Sequence, residues 1–374
     1  MTIAKPPFTA ADAAHMGRAL ELARRGLWTT DPNPRVGCVI ARGDQVLGEG
    51  WHRRAGGPHA EVEALREAAG RSRGATAYVT LEPCSHHGRT PPCVDALIGS
   101  GLARVVFAVG DPNPRVDGSG AARLEAAGIV VHSGLCEAEA RALNAGFFSR
   151  MTRGRPFVRL KVGASLDGAT SLANGASRWI TSPEARADVQ RLRARSSAVA
   201  TGAGTVLADD PRLDVRLDGA TRQPLRVLFD GRMRIPAEAR VFAPPGEALL
   251  LTRAGADAAR IEALLARGVR VAEVPAGTDR GVDLQAALAR LAAEEINELL
   301  VEGGPAISGS FITAGLVDEL VLYVAPSLLG DRARRMVELP LLEDLGARWR
   351  FDFRDVRRVG PDLRLTLAPS GRGG

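Results

Sequence analysis

The sequence predicts an α/β protein of two domains, and three observations predict it. At 374 residues the chain exceeds the length at which one hydrophobic core usually stops growing. Short apolar runs with strand spacing alternate with helical periodicities along most of it. A basic, turn-prone segment, Ser149 to Pro156, separates one such alternation from the next. Alternation of this kind implies mostly parallel sheets covered on both faces.

Each element has a local reason. Thr9 and Asp12 can cap a helix whose positions Met16, Ala19, Leu20 and Ala23 share one face. Val36 to Ile40 and Val46 to Trp51 read as strands of a hairpin around Arg42-Gly43-Asp44. A helix from His59 to Ala69, with Gly70 as its stop, leads to a strand from Ala75 to Leu81. Pro91 and Pro92 suit the start of a short helix through Leu97, followed by strand Arg104 to Val109, helix Ala121 to Ala127 and strand Ile129 to His132. Beyond the break, strands are expected at 157–163, 198–201, 225–230, 248–251, 269–274, 299–301 and 319–324. Helices are expected at 182–195, 256–267 and 283–294, with another beginning near Ser308. The two domains are placed at 1–150 and 155–370.

Composition narrows the function classes. With 45% hydrophobic and 25% charged residues the chain is neither disordered nor fibrous. No apolar run approaches the roughly 18 residues of a membrane span, so no membrane partner is expected. Met1 to Ala10 lacks the apolar stretch of a secretory signal, and a cytoplasmic location is expected. The four cysteines, Cys38, Cys84, Cys93 and Cys136, should then be reduced, and a spaced pair points to metal or catalysis before a disulfide. The net charge of +6 is scattered, and aromatics are only 4%, so a nucleic-acid partner is not expected. Of the 49 basic residues only Lys5 and Lys161 are lysines, which singles out Lys161.

The chemistry begins at His59-Ala60-Glu61 and Pro83-Cys84 with Cys93. Imidazole and thiolates suit tetrahedral zinc, and a catalytic site keeps the fourth position for water, whose pKa falls to about 7. Glu61, two residues from His59, is placed to carry a proton from water to a leaving amine. This is the order of zinc nucleoside and base deaminases. His59-x-Glu61 alone would be a weak signal; with both cysteines in order it is a strong one. His86 and His87 are set aside because three protein ligands already leave the open position that catalysis requires. Cys38 and Cys136 are expected as small core residues.

Taken together, Asn33-Pro34, Trp51-His52, His59-Ala60-Glu61 and Glu82-Pro-Cys-Ser-His-His-Gly-Arg-Thr-Pro-Pro-Cys93 closely resemble the bifunctional riboflavin-biosynthesis deaminase/reductase family. The long spacer distinguishes that family from cytidine and tRNA deaminases. The resemblance implies a cytidine-deaminase-like three-layer domain with zinc on His59, Cys84 and Cys93 and Glu61 as proton donor. It further implies pyrimidinone contacts from Asn33, His52 and the spacer, with Arg89 near the substrate phosphate.

In the second half, Gly202-Ala-Gly204-Thr-Val-Leu207 has leucine where a dinucleotide fingerprint needs its third glycine, which argues against a Rossmann site. Val301-Glu-Gly-Gly-Pro305 ends a strand and leads into a helix, so it offers amides to an anion or is a plain turn. With Lys161-Val-Gly-Ala-Ser-Leu-Asp-Gly168, Ser177-Arg-Trp-Ile-Thr-Ser182 and Gly204-Thr-Val-Leu-Ala-Asp-Asp-Pro-Arg-Leu213, it resembles the reductase half of the same family, similar in fold to dihydrofolate reductase.

That resemblance implies NADPH contacts from Ala164, Trp179, Thr205, Asp209 and Gly304-Pro305-Ala306-Ile307-Ser308-Gly309-Ser310. It implies substrate contacts from Ser177, Arg193, Leu213, Arg216 and Glu302, with Arg193 and Arg216 suited to clamp a phosphate bidentately. Gly231 replaces a serine common in relatives. Lys161 and Asp209 are candidates for polarising or protonating the substrate; otherwise Lys161 is a solvated cation.

The expectation is hydrolytic deamination of 2,5-diamino-6-ribosylamino-4(3H)-pyrimidinone 5′-phosphate, then NADPH-dependent reduction to 5-amino-6-ribitylamino-uracil 5′-phosphate. A homodimer or higher homo-oligomer is expected. The alternatives are a zinc deaminase with a silent reductase half and a nucleic-acid-editing deaminase.

Overall fold

The computed structural model describes residues 8–85, 91–114, 116–243, 245–277 and 281–372. The chain divides into two compact units, Met1–Gly154 and Arg155–Gly374.

The first unit starts with α1 (Ala10–Arg24), whose capping box is formed as expected. The Asp12 amide donates to Thr9 Oγ1 at 3.1 Å, and the Thr9 amide donates to Asp12 Oδ2 at 2.9 Å. β1 (Gly37–Arg42), β2 (Gln45–Trp51), α2 (Ala60–Ala68), β3 (Thr76–Val79), α3 (Cys93–Gly99), β4 (Arg104–Phe107), α4 (Ser119–Ala126) and β5 (Val130–Ser133) follow. Sheet order is β2-β1-β3-β4-β5, with β1 antiparallel to both neighbours and the remaining pairs parallel. The pleat sends Cys38 and Ile40 toward α2, α3 and α4, and Val39 and Ala41 toward α1, which makes a three-layer sandwich.

Two helices absent from the sequence reading, α5 (Glu137–Leu143) and α6 (Ala145–Arg153), complete the α1 layer through Ala140 and Phe147. Ser149 to Arg153 is therefore helix rather than turn, and Gly154, at φ 64°, terminates it. Cys38 is fully buried as expected. Cys136 packs against the α1-side core but is only half-buried, as the N-cap of α5 with φ 58°.

The second unit contains β6 (Phe157–Ser165), β7 (Ala169–Ser171), α7 (Pro183–Arg195), β8 (Ala198–Gly202), α8 (Ala203–Asp209), β9 (Leu225–Phe229), β10 (Ala248–Arg253), α9 (Ala258–Leu265), β11 (Arg270–Val274), α10 (Leu284–Ala293), β12 (Glu298–Glu302), α11 (Pro305–Thr313), β13 (Glu319–Ala325), β14 (Arg334–Arg335), β15 (Trp349–Val359) and β16 (Asp362–Arg372). Nine strands form one sheet in the order β11-β10-β9-β8-β12-β6-β13-β16-β15. β11 through β13 are parallel, and β16 and β15 add an antiparallel edge. α10 and α11 cover one face; α7, α8 and α9 cover the other. A parallel sheet covered twice opens its cleft at the carboxyl ends of the strands. The helix expected near Ser308 begins three residues earlier, at Pro305.

Candidate active sites

In the first unit, α2 lies hard against β2 because the facing strand residues are glycine. A Cβ on Gly50 would lie 2.2 Å from the Ala60 carbonyl oxygen, and one on Gly48 2.3 Å from that of Ala64. This seats the start of α2, with His59 as its extended N-cap and Glu61 in the first turn. Cys93 opens α3, and its amide donates to Cys84 Sγ at 3.3 Å. His59 Nδ1 is 3.0 Å from Cys93 Sγ and 3.5 Å from Cys84 Sγ, and the three ligand atoms all lie within 4.8 Å of one another. Glu61 is 3% exposed, and its Oε2 is buried without a hydrogen-bond partner. One imidazole nitrogen and two sulfurs at this spacing, beside an orphaned carboxylate oxygen, fit the donor set of a catalytic zinc held by three protein ligands.

The electrostatics agree with that donor set. A hydrogen bond from Cys93, aided by His59, lowers the pKa of the Cys84 thiol, while Cys84 and burial push that of Cys93 up. The Cys84 sulfur raises the pKa of His59, and burial raises that of Glu61.

Asn33 and His52 meet beside this cluster. His52 Nδ1 lies 3.0 Å from the Pro58 carbonyl oxygen, which can only accept, so that nitrogen carries the hydrogen. His52 Nε2 then accepts from Asn33 Nδ2 at 3.1 Å, and the carboxamide is oriented. Burial lowers the pKa of His52 and favours this neutral ring. The His52 and His59 rings meet edge to face at 5.3 Å. Arg89, His86 and His87 lie outside the described residues.

The sequence reading missed Glu82, a buried carboxylate two residues before Cys84. A signal was present: Asp-Pro-Asn-Pro-Arg-Val occurs at both 31–36 and 111–116. The first copy supplies Asn33, and the second begins with Asp111, whose amide donates to Glu82 at 3.3 Å. Burial raises the Asp111 carboxyl to about 6.

In the second unit a cleft of about 2180 Å³ opens at the strand ends. Its lining includes Lys161, Ser177, Trp179, Arg193, Thr205, Asp209, Leu213, Arg216, Gly231 and Glu302, together with Gly304, Pro305, Ala306, Ile307, Gly309 and Ser310. Ala164 is packed in the apolar core and Ser308 is fully buried; neither lines the cleft.

Lys161 and Glu302 are register partners across β6 and β12, with Nζ 3.7 Å from Glu302 Oε2. Arg193 grips the same carboxylate, with Nε at 2.6 Å and Nη2 at 3.1 Å, and donates from Nη1 to the Asp214 carbonyl at 3.0 Å. The phosphate clamp expected of Arg193 is thus already committed to Glu302. Arg216 pairs with Asp214 and keeps 57% of its side chain exposed. Burial opposes ionisation of Glu302, but Arg193 and Lys161 outweigh it and hold the carboxyl at about 2. Burial lowers the pKa of Lys161, with Glu302 opposing.

Asp209 closes α8, and Ser177 Oγ donates to its Oδ1 at 3.4 Å. Trp179 is 69% exposed, with the Arg186 guanidinium 4.5 Å from its ring centre. Gly303 is required where it stands, since a Cβ there would lie 2.3 Å from Ile307 Cγ2. The Gly304 amide donates to Thr205 Oγ1 at 3.0 Å. A glycine turn before a helix N-terminus, in a wide cleft also lined by Arg212, Arg232, Arg234 and Arg240, fits the phosphates of a dinucleotide.

The comparisons agree with both halves. Residues 9–109 match the family described as "Cytidine and deoxycytidylate deaminase zinc-binding region", and residues 156–365 match "RibD C-terminal domain". The Riboflavin biosynthesis protein RibD of Escherichia coli is 50% identical over 368 residues, covering 95% of this chain and 99% of its own. Acinetobacter baumannii RibD, form 1, superposes with a TM-score of 0.90 at 45% identity, over 96% of this chain and 99% of its own. The Thermotoga maritima diaminohydroxyphosphoribosylaminopyrimidine deaminase/5-amino-6-(5-phosphoribosylamino)uracil reductase superposes with a TM-score of 0.84 at 33% identity, over 96% and 99%. The chain belongs to the RibD family of riboflavin biosynthesis, a bifunctional deaminase and reductase whose cofactors are zinc and NADPH.

Proposed function

We propose that residues 1–150 deaminate 2,5-diamino-6-ribosylamino-4(3H)-pyrimidinone 5′-phosphate and that residues 155–370 reduce the resulting uracil derivative to 5-amino-6-ribitylamino-uracil 5′-phosphate. The observation that carries the reading is the convergence of His59, Cys84 and Cys93 around the unpartnered Glu61 oxygen. His59, Cys84 and Cys93 would hold zinc, which when bound supplies the Lewis acidity that makes water nucleophilic near neutral pH. Glu61 takes a proton from the attacking water and gives it to the amino nitrogen, so that a C–O bond forms, the C–N bond breaks and ammonia leaves. Its burial raises the proton affinity of the carboxylate, which suits it to take the water proton and hold it until it passes to nitrogen. Asn33, oriented by His52, faces the pyrimidinone, and Arg89 serves the phosphate.

For reduction, NADPH when bound supplies the hydride that C1′ of the opened ribosyl chain receives. Gly304 to Ser310, Thr205, Trp179 and Asp209 would hold the cofactor, with the Ala164 and Ser308 backbones behind them. Lys161 protonates or polarises the C1′ group, held by Glu302, and Asp209 with Ser177 lies on the same cleft. Arg216, with its exposed guanidinium, is the stronger phosphate ligand; Arg193 fixes Glu302, and Leu213 shapes the wall.

The substrate is a small phosphorylated pyrimidine, not a nucleic acid, and the protein acts in the cytoplasm. Among the described residues no helix is long and apolar enough to cross a membrane. A homodimer or larger homo-oligomer is supported by β15, an eleven-residue edge strand exposing Phe353 and Val356. The test is to give purified protein the diaminopyrimidinone phosphate and follow ammonia and NADPH. Glu61→Gln should abolish ammonia release while sparing reduction of supplied deaminated intermediate; loss of neither activity would refute the assignment.

A further inference from the structure

We propose that Glu82 is a positioning residue for deamination, its buried carboxylate fixing the Cys84 loop, and through it the Cys84 sulfur, on the N-terminus of α4. The proposal rests on the reading of His59, Cys84 and Cys93 as metal ligands.

Glu82 is 4% exposed and directly precedes Pro83-Cys84. Its Oε2 accepts from the amides of Gly118 at 3.1 Å and Asp111 at 3.3 Å; its Oε1 accepts from Gly120 at 3.1 Å and Ala121 at 3.2 Å. Four main-chain donors thus converge on one carboxylate, three of them from the start of α4, where amides are unpaired and the helix dipole favours an anion. The Glu82 amide donates in turn to the Val109 carbonyl at 2.9 Å, so backbone and side chain anchor the same residue.

The approach of α4 to the ligand loop is as close as a backbone allows. A Cβ on Gly120 would lie 2.1 Å from the Pro83 carbonyl oxygen and 3.1 Å from Glu82 Oε1. Beyond Cys84, Ser85 Oγ meets Ser119 Oγ at 2.5 Å, and Arg123 Nη1 donates to the Ser85 carbonyl at 3.0 Å. The ligand is therefore gripped by α4 on both sides in sequence. From the other direction α3 holds it: the Cys93 amide donates to Cys84 Sγ at 3.3 Å, and the Val94 amide donates to the Cys84 carbonyl at 3.2 Å. The distance from the Cys84 sulfur to His59 is set by these two grips.

Charge, not shape alone, is what Glu82 contributes. Both carboxylate oxygens accept, whereas a glutamine would turn its NH₂ group toward amides that also donate. Outer groups that orient metal ligands typically govern affinity or activity by about 10- to 100-fold.

The test compares full-length wild type, Glu82→Gln and Gly120→Ala. The readouts are zinc affinity by chelator competition, the visible spectrum of the cobalt-substituted protein, kcat and KM for deamination, and NADPH oxidation on supplied deaminated intermediate. Gly120→Ala keeps the carboxylate but drives a methyl group into the Pro83 carbonyl. Both variants are expected to retain NADPH oxidation, bind zinc about 10- to 100-fold more weakly, shift the cobalt bands, and lose deamination in kcat rather than KM. Should Glu82→Gln fail to fold its unit, Gly120→Ala decides alone. Wild-type affinity, cobalt bands and kcat in the variants overturn the proposal while leaving the ligand reading intact. A wild-type cobalt protein without sulfur-to-metal charge-transfer bands overturns the ligand reading, and this proposal with it.

Discussion

Replacing Glu302 with glutamine removes a charge on which two enclosed cations depend. Lys161 and Arg193 both meet this carboxylate, which is only 7% exposed. Holding its pKa at about 2 instead of 4.5 corresponds to roughly 3 kcal/mol at about 1.4 kcal/mol per pKa unit. That agrees with the roughly 3–5 kcal/mol lost when one partner of a buried ion pair is removed. Glu302→Gln should therefore destabilise the second unit by about 3 kcal/mol and lower its melting transition by roughly 6–12 °C.

The pH dependence has a definite sign. A carboxyl whose folded pKa lies below its free value stabilises the fold fully above pH 4.5, and loses that contribution as pH falls toward about 2. The gap between wild type and variant should narrow across that window. Calorimetry at several pH values measures it. A difference under about 1 kcal/mol at neutral pH, or one that does not shrink on acidification, would refute the three-way network.

Other outcomes follow from the same geometry. Asp12→Ala strips the acceptor from the Tyr78 hydroxyl at 2.7 Å, the Arg104 guanidinium and the α1 cap, and should destabilise the first unit by roughly 2–4 kcal/mol in denaturant titration. Gly50→Ala forces α2 off β2 and should lower deamination while leaving NADPH oxidation on supplied intermediate unchanged. Lys161→Met should reduce NADPH oxidation by about 10²- to 10⁴-fold with ammonia release intact, measured in separate assays on one preparation. Dialysis against a zinc chelator should silence ammonia release reversibly and leave reduction running.

Much of this was legible because the chemistry is local. His59 and Glu61 share one helix start, Cys93 follows a proline pair that opens another, and Thr9 with Asp12 forms its own cap. What stayed hidden depends on distant partners. Arg193 reads as a phosphate ligand until a residue 109 positions away occupies it. Glu82 reads as part of a motif until the amides of Asp111, Gly118, Gly120 and Ala121 close on it. β15 carries a bulge between Phe353 and Asp355 that breaks its alternation, so its pairing with β16 was not anticipated. α5 and α6 carry a readable signal, since Cys136, Ala140, Leu143, Phe147 and Met151 recur at helical spacing, but the break at Asn144 divides it between helices of only seven and nine residues.

The central claim is that one imidazole and two sulfurs hold the metal on which deamination depends. Elemental analysis of purified wild type and of Cys84→Ser/Cys93→Ser, paired with ammonia release, tests it most directly. Wild type should carry a single zinc per chain, lost from the double variant together with ammonia release, while NADPH oxidation on supplied intermediate persists. Undiminished ammonia release from the variant, or an active wild type devoid of transition metal, would contradict it.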